Sequence, residues 1–349
     1  MSDTPDPIDM KELVGMAATG RPLSEANATR AFEAIMSGDA TPAQIGAFLM
    51  ALRVRGETVE EITAAARIMR EKAARVRAPK DAIDIVGTGG DASGTYNIST
   101  GASLVCAACG LTVAKHGNRA ASSKSGSADA LAALGVNLDA PLSLVEKAIA
   151  EIGIGFMFAQ RHHSAMKHVA PVRGELATRT IFNLLGPLAN PAGARLEVMG
   201  VYAAQWVAPL AEVLGRLGAE RAWVVHGSDG LDEITTTGPT MVAEFRGGVV
   251  REFSITPEDA GLPRATPQDL KGGTPEDNAQ AIRAMLDGAP GPYRDIVVFN
   301  AAAALVVAGK AETLKQGATL AQEAIDSGAA KATLAKLVAI TNESVDPRP

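Results

Sequence analysis

Over residues 1–77 the apolar positions recur at helical spacing, with polar positions filling the intervals. Ile45, Phe48, Leu49 and Leu52 follow the i, i+3, i+4, i+7 order of one buried stripe. Start signals stand at Ser24, at Thr41-Pro-Ala-Gln44 and at Thr58-Val-Glu-Glu61. The last two have capping-box spacing, in which the hydroxyl accepts from the N3 backbone N–H and the N3 side chain reaches back, and Pro42 fits the first helical position. Gly38 and Gly56 mark helix ends. No strand signal intervenes, so the pattern predicts a small helical bundle over residues 1–77.

From Ala82 the periodicity changes. The runs Ile83 to Val86, Leu111 to Ala114, Ile154 to Phe158, Leu196 to Val201 and Trp223 to His226 have strand character and alternate with helical stretches. That alternation predicts an α/β domain with a mostly parallel central sheet flanked by helices, joined to the bundle by Ala78-Pro79-Lys80-Asp81. Ile296 to Gly309 is the most apolar segment, but Asn300 interrupts it and a bilayer span needs about 20 residues, so a buried helix is expected.

Composition narrows the function classes. A chain of 349 residues exceeds the usual single core, in keeping with two domains. With 39 acidic against 33 basic residues the net charge is −6, which offers no general field for polyanions and favours a small-molecule protein. The one basic run, Arg67, Arg70, Lys72, Arg75 and Arg77 on the last predicted helix of the bundle, is interleaved with Glu60, Glu61 and Glu71 and is expected to be a solvated helix face. The first residues, Met1 to Pro7, have neither a basic n-region nor an apolar h-region, so a cytoplasmic location is expected, with no membrane and no nucleic-acid partner. Cys106 and Cys109 have C-x-x-C spacing, yet two ligands do not complete a zinc site, and their Ala, Leu and Val neighbours predict one buried helical face.

Candidate chemistry begins after the first strand. Gly87-Thr-Gly-Gly-Asp-Ala-Ser-Gly-Thr-Tyr-Asn-Ile-Ser-Thr100 has the texture of strand, glycine loop and helix start, at the strand end where α/β sheets bind ligands. Glycines free backbone N–H groups to meet an anion, and Asn97, Ser99 and Thr100 stand where an N-cap, the helix dipole and a phosphate would meet. An ordinary tight turn is the alternative; neither a G-x-G-x-x-G nor a Walker A pattern is present. The second strand leads into Lys115-His-Gly-Asn-Arg-Ala-Ala-Ser-Ser-Lys-Ser-Gly-Ser-Ala-Asp129, whose lysines, arginine and serines suit a polyphosphate, against the alternative of a polar flexible loop. Ser127 is the expected N-cap of a helix through Leu134, closed by Gly135. Asp232 and Glu233, adjacent after an Asp-Gly turn, are either a solvated loop or, near a pyrophosphate, ligands for Mg²⁺. The spacing around Asp229 does not match an EF-hand, and His162, His163 and His168 lack the acidic partners of a metal cluster.

These stretches resemble the anthranilate phosphoribosyltransferase family. The similarity rests on GTGGD, NIST and KHGNRAASSKSGSADALAALG, and continues through His163 to Lys167, Val172-Arg173, Thr180 to Leu188, Asn190-Pro191 and His226 to Glu233, in order over most of the chain. It implies a small helical domain, residues 1–77, completed by a segment near 165–190, and a large α/β domain, residues 78–164 and 191–349. It also implies a Mg²⁺-dependent pentosyltransferase of tryptophan biosynthesis that joins anthranilate to phosphoribosyl pyrophosphate (PRPP), and a homodimer formed through the helical domain. By the same resemblance PRPP meets Gly87, Gly90, Asp91, Thr95, Asn97, Ile98, Ser99, Thr100, Lys115, His116, Gly117, Asn118, Arg119, Ala120, Ala121, Ser122, Ser123 and Ser127. Anthranilate meets Gly87, Asn118, His163 and Arg173, and the metal meets Ser99, Asp232 and Glu233. Ser164 stands where the family usually has proline. No covalent nucleophile is implied. A pyrimidine nucleoside phosphorylase and a non-catalytic nucleic-acid-binding paralogue share this architecture and are the alternatives.

Overall fold

The computed structural model describes residues 9–120 and 124–344. The chain forms two compact units, one made of the residues up to Ala74 together with His162–Ala189, the other of Arg75–Arg161 and the residues from Asn190 onward.

The smaller unit is helical. Its first part comprises α1 (Met10–Ala18), α2 (Glu25–Ser37), α3 (Pro42–Arg55) and α4 (Val59–Glu71). Both capping boxes form as the spacing predicts, and the four stripe residues of α3 are buried. Glu61 does more than cap: it also accepts from Leu23 N at 2.8 Å and pairs with Arg55, so its burial is fully compensated. The returning segment adds the helices Ala170–Leu176 and Phe182–Leu188. Phe182 meets Phe32 edge-on at 6.1 Å, Phe32 meets Phe48 at 5.7 Å, and Arg70 Nε donates to Leu188 O at 2.6 Å. The basic run is solvent-facing in part and ion-paired. Arg67 pairs with Glu25 and Lys72 with Glu33, while Arg75 and Arg77 lie beyond the end of α4, where Arg77 pairs with Glu146.

The larger unit is built on seven strands: β1 (Ile83–Gly87), β2 (Val113–Gly117), β3 (Ile154–Phe158), β4 (Leu196–Gly200), β5 (Arg221–Gly227), β6 (Thr240–Arg246) and β7 (Val249–Ile255). They lie in the order β3-β2-β1-β4-β5-β6-β7, parallel from β3 to β5 and antiparallel for β6 and β7. The hairpin β6–β7, turned at Gly247 and Gly248 with φ of 59° and 83°, is not among the predicted strands. β2 runs later than expected, because its pairing with β3 continues through Lys115, His116 and Gly117. Lys115 and His116 are consequently buried strand residues, not loop residues. The apolar segment forms the buried helix Pro292–Val307. Among the described residues no helix is long and apolar enough to cross a membrane. Cys106 and Cys109 lie at the end of the helix Ile98–Ala108, donating to Ala301 O and Leu320 O. Burial pushes the Cys106 thiol up and that of Cys109 up to about 11, which disfavours the reactive thiolate in both.

Candidate active site

Strand order reverses between β1 and β4, and at their carboxyl ends Gly87 faces Gly200 in register. Such a reversal opens a crevice in α/β sheets. The segment carrying Asp232 and Glu233 lies directly against this pair. A Cβ on Gly200 would fall 1.6 Å from Asp232 O, and one on Gly87 would fall 2.4 Å from Asp232 Oδ2. Two glycines thus make the notch that admits an acidic segment to the strand ends. The segment is fixed from behind by buried Asn300, which accepts from Ile234 N at 3.1 Å and donates to Ile234 O at 2.8 Å.

The acids are bonded to the first loop. Gly89 N donates to Asp232 Oδ2 at 2.6 Å, and Ser99 N, in the first turn of the helix Ile98–Ala108, donates to Glu233 Oε1 at 3.1 Å. Lys115 Nζ reaches under the same turn, donating to Ile85 O at 2.7 Å and to Ser99 Oγ at 3.4 Å. Burial drives the Asp232 carboxyl well above the usual range, and the charges of Asp91 and Glu233 drive it further. Burial raises Glu233 to about 7 against the opposing pull of Lys115. Lys115 is itself lowered by burial, opposed by Asp84 and Glu233. The donor set is therefore hard oxygen, with more negative charge than one buried ammonium balances. Among the described residues no three His, Cys, Asp or Glu form a ready-made metal cage. That combination fits Mg²⁺, which takes few carboxylates and completes its shell with phosphate oxygens and water.

The first loop turns on Gly89, Gly90 and Gly94 with φ of 68°, 78° and 62°, and on Ala92 at 59°. Asp91 Oδ1 accepts from Ser93 N within it. Asn97 occupies the N-cap position but makes no side-chain cap bond; its amide is turned instead to Ser125 and Asn278. Ile98 and Thr100 are buried in the helix, and among the described residues Thr100 Oγ1 has no hydrogen-bond partner. The structure thus corrects Asn97 and Thr100 as side-chain caps, and leaves Ile98 only backbone groups to offer an anion.

The second loop is organised by Asp129. Its Oδ2 accepts from Ala120 N and Gly126 N, each at 3.0 Å, and its Oδ1 pairs with Arg119 at 2.8 Å. Gly126 is the N-cap and Ser127 the first residue of the helix Ser127–Ala133, where Ser127 Oγ donates to Asn118 O; the expectation that Ser127 caps the helix is thereby corrected. Gly126 is required, since a Cβ there would lie 2.4 Å from Ala120 N. Asn118 and Arg119 are exposed, and the Arg119 guanidinium lies 5.7 Å from the Phe158 ring. His116 N donates to buried Asp84, whose carboxyl burial raises to about 6 while Asn190 bonds it at 2.7 Å. Ala121, Ser122 and Ser123 lie outside the described residues.

Arg173 and His163 belong to the smaller unit. The Arg173 guanidinium is half-buried, 5.8 Å from the Phe182 ring, and among the described residues it has no ion pair. Burial lowers its pKa, which marks a cation short of compensating charge. His163 is buried and its imidazole is pushed down to about 4, by burial and then by His162, so it is neutral near neutral pH. Sequence patterning does not single out Asn278, and marks Asn300 only as a polar interruption of the apolar run; for Asp129 a local signal exists, the acid at N3 after Gly126.

The sequence matches the glycosyl transferase family, helical bundle domain, over residues 11–73 and the glycosyl transferase family, a/b domain, over residues 79–331. It is 80% identical over 332 residues to an anthranilate phosphoribosyltransferase of Rhodospirillum rubrum, covering 95% of this chain and 96% of that protein. The chain belongs to the anthranilate phosphoribosyltransferase family. A crystal structure of the anthranilate phosphoribosyltransferase from Thermus thermophilus superposes with a TM-score of 0.90 at 50% identity, covering 95% of this chain and 99% of that one. The anthranilate phosphoribosyltransferase from Saccharomyces cerevisiae, in complex with PRPP and Mg, gives 0.87 at 28% identity, covering 95% and 97%. The same yeast protein with 4-fluoroanthranilate gives 0.85 at 27%, covering 96% and 99%. The family's motif stretches, GTGGD, NIST and KHGNR, lie in the larger unit; the segment around Arg173 lies in the smaller. Neither alternative architecture-mate, nucleoside phosphorylase or nucleic-acid binder, is favoured by these relatives.

Proposed function

We infer that this chain transfers the 5-phosphoribosyl group of PRPP to the amine of anthranilate, releasing pyrophosphate. The observation that carries this reading is the convergence, at the β1/β4 reversal, of a glycine loop, a helix N-terminus, a buried lysine and the Asp232-Glu233 pair. Free backbone N–H groups and the helix dipole favour the phosphates of PRPP. Lys115 adds a fixed positive charge beneath them. Asp232, Glu233 and the Ser99 hydroxyl would hold Mg²⁺, which when bound neutralises charge on the departing pyrophosphate.

Arg173, in the smaller unit, is the residue that would take the anthranilate carboxylate. A guanidinium fork matches a carboxylate with two parallel hydrogen bonds, and that of Arg173 lies 5.8 Å from the Phe182 ring. An arylamine is unprotonated near neutral pH, so it needs placement against the ribose C1 more than a base, and proximity is the main contribution of the protein. Departure of pyrophosphate then leaves an oxocarbenium-like centre open to the amine, with no covalent enzyme intermediate. Association of two copies through the helical unit and a cytoplasmic location belong to the same reading.

The direct test mixes the protein with anthranilate, PRPP and Mg²⁺ and follows anthranilate fluorescence. The signal should decay, and chelation of the metal should stop it; a stable signal with all components present refutes the assignment. Arg173→Ala should weaken anthranilate by roughly 1.5–3 kcal/mol, about 10- to 150-fold in KM, while PRPP binding stays within about twofold. Equal losses for both substrates would remove Arg173 from the acceptor site.

A further inference from the structure

The first phosphate loop is braced by a segment that lies in none of the motifs. Gly272 N donates to Gly94 O at 3.0 Å and Tyr96 N to Leu270 O at 3.1 Å, and Thr95 pairs with Lys271 in an isolated antiparallel bridge. Beyond it, on the helix Pro275–Leu286, Asn278 is 1% exposed. Its Oδ1 accepts from Gly273 N at 2.9 Å, and its Nδ2 donates to Asn97 Oδ1 at 2.8 Å, 181 positions away in sequence. Asn97 in turn donates through Nδ2 to Ser125 O at 3.3 Å and accepts from Ser125 Oγ at 3.1 Å.

The polarity of this chain is forced. It begins at a backbone N–H, which only donates, and ends at a backbone carbonyl, which only accepts. Gly273 N–H obliges Asn278 to turn Oδ1 toward it, and therefore to present Nδ2 to Asn97. Asn97 must answer with Oδ1, which directs its own Nδ2 to the Ser125 carbonyl. The link joins the first phosphate loop, at Asn97, to the second, at Ser125. We propose that Asn278 is a positioning residue for PRPP, which sets the orientation of the Asn97 amide and thereby holds the two phosphate loops in register. The proposal rests on the PRPP reading of those loops.

Asn278→Asp isolates the effect. It keeps the shape and the acceptor for Gly273 N–H, but offers Asn97 an acceptor in place of a donor, so Asn97 must reverse and set oxygen against the Ser125 carbonyl. PRPP affinity, measured by calorimetry with Mg²⁺, and the KM for PRPP should each worsen roughly tenfold or more, the equivalent of one buried hydrogen bond, with anthranilate KM changed less than about twofold. Asn97→Ala should produce a loss of similar size, and the double variant should be no worse than the worse single variant, because the two act as one unit. Equal losses for PRPP and anthranilate, unchanged PRPP affinity in Asn278→Asp, or additive losses in the double variant overturn the proposal. Should Asn278→Asp fail to fold, Asn97→Asp reads the same link: it retains the bond from Asn278 and loses the donor to Ser125, and unchanged PRPP affinity there is equally fatal. Failure of the wild-type protein to bind PRPP would instead sink the functional reading.

Discussion

Gly200→Ala should lower kcat/KM by about 100-fold or more and destabilise the fold by ~1–3 kcal/mol at the least. The added Cβ would lie 1.6 Å from the Asp232 carbonyl oxygen, 2.3 Å from its carbon and 3.1 Å from Glu233 N. All three are backbone atoms, so no side chain can rotate out of the way. β4 is held on both sides, by β1 and β5, which leaves the acidic segment to yield. Restoring van der Waals contact requires a shift of roughly 1–2 Å, and a displacement of that size costs about 100-fold in rate when it misplaces reacting or ligating groups. Gly15→Ala is the control: it meets nothing within 4 Å in the interior of α1, and should be neutral or stabilising by ~0.5–1 kcal/mol. Steady-state kinetics and thermal melts of both variants decide the matter; a Gly200→Ala enzyme within tenfold of wild type would show that the notch tolerates movement.

Lys115→Met should cost ~1.5–3 kcal/mol of stability at pH 7.5, because it removes the charged hydrogen bond to Ile85 O and a buried cation whose field opposes the charges of Asp84 and Glu233. Lys115 is 2% exposed and opposes the burial-raised carboxyls of Asp84 and Glu233. The sign of the pH effect follows. With folded pKa values of about 6 and about 7, both acids bind protons more readily in the native state than in the unfolded chain. Stability from this source is present below the unfolded carboxylate range and falls as pH rises through the folded values. Without the lysine those values move higher, so the variant should lose more than wild type on going from pH 5.5 to 7.5. Urea unfolding at the two pH values measures the difference; an equal penalty at both would mean that Lys115 does not face those acids. PRPP binding should also fall steeply in the variant at both pH values.

What the sequence makes legible is local. The capping boxes at Thr41 and Thr58 and the stripe through Phe48 rest on contacts three or four residues apart, and they appear where the spacing puts them. The two donor-rich loops are visible because glycine, serine and lysine are concentrated next to a strand. Three other features are not, and each depends on distant partners. Gly200 is a glycine at a strand end until Asp232 is packed against it. Asn278 is one polar residue on an amphipathic helix until Asn97 is bonded to it. Lys115 reads as a loop residue, and it is the ladder with β3 that carries it into the sheet. The return of a segment near 165–190, observed as residues 162–189, is legible from family resemblance alone, since nothing in its periodicity points to α2 or α4. The hairpin β6–β7 escapes the pattern for a different reason: Val242 and Ala243 are consecutive buried residues, which blurs the period-2 signal.

The division of the smaller unit into two stretches has a consequence during synthesis. Its first stretch ends at Ala74 and its second begins at His162. At translation speeds of ~5–20 residues/s, roughly 5–20 s separate the two. Through that interval Phe32 lacks Phe182, Arg70 lacks the Leu188 carbonyl, and a face of α2 and α4 remains uncovered on the nascent chain. The smaller unit therefore completes its packing only after the Arg173 helix and its neighbour have been synthesised.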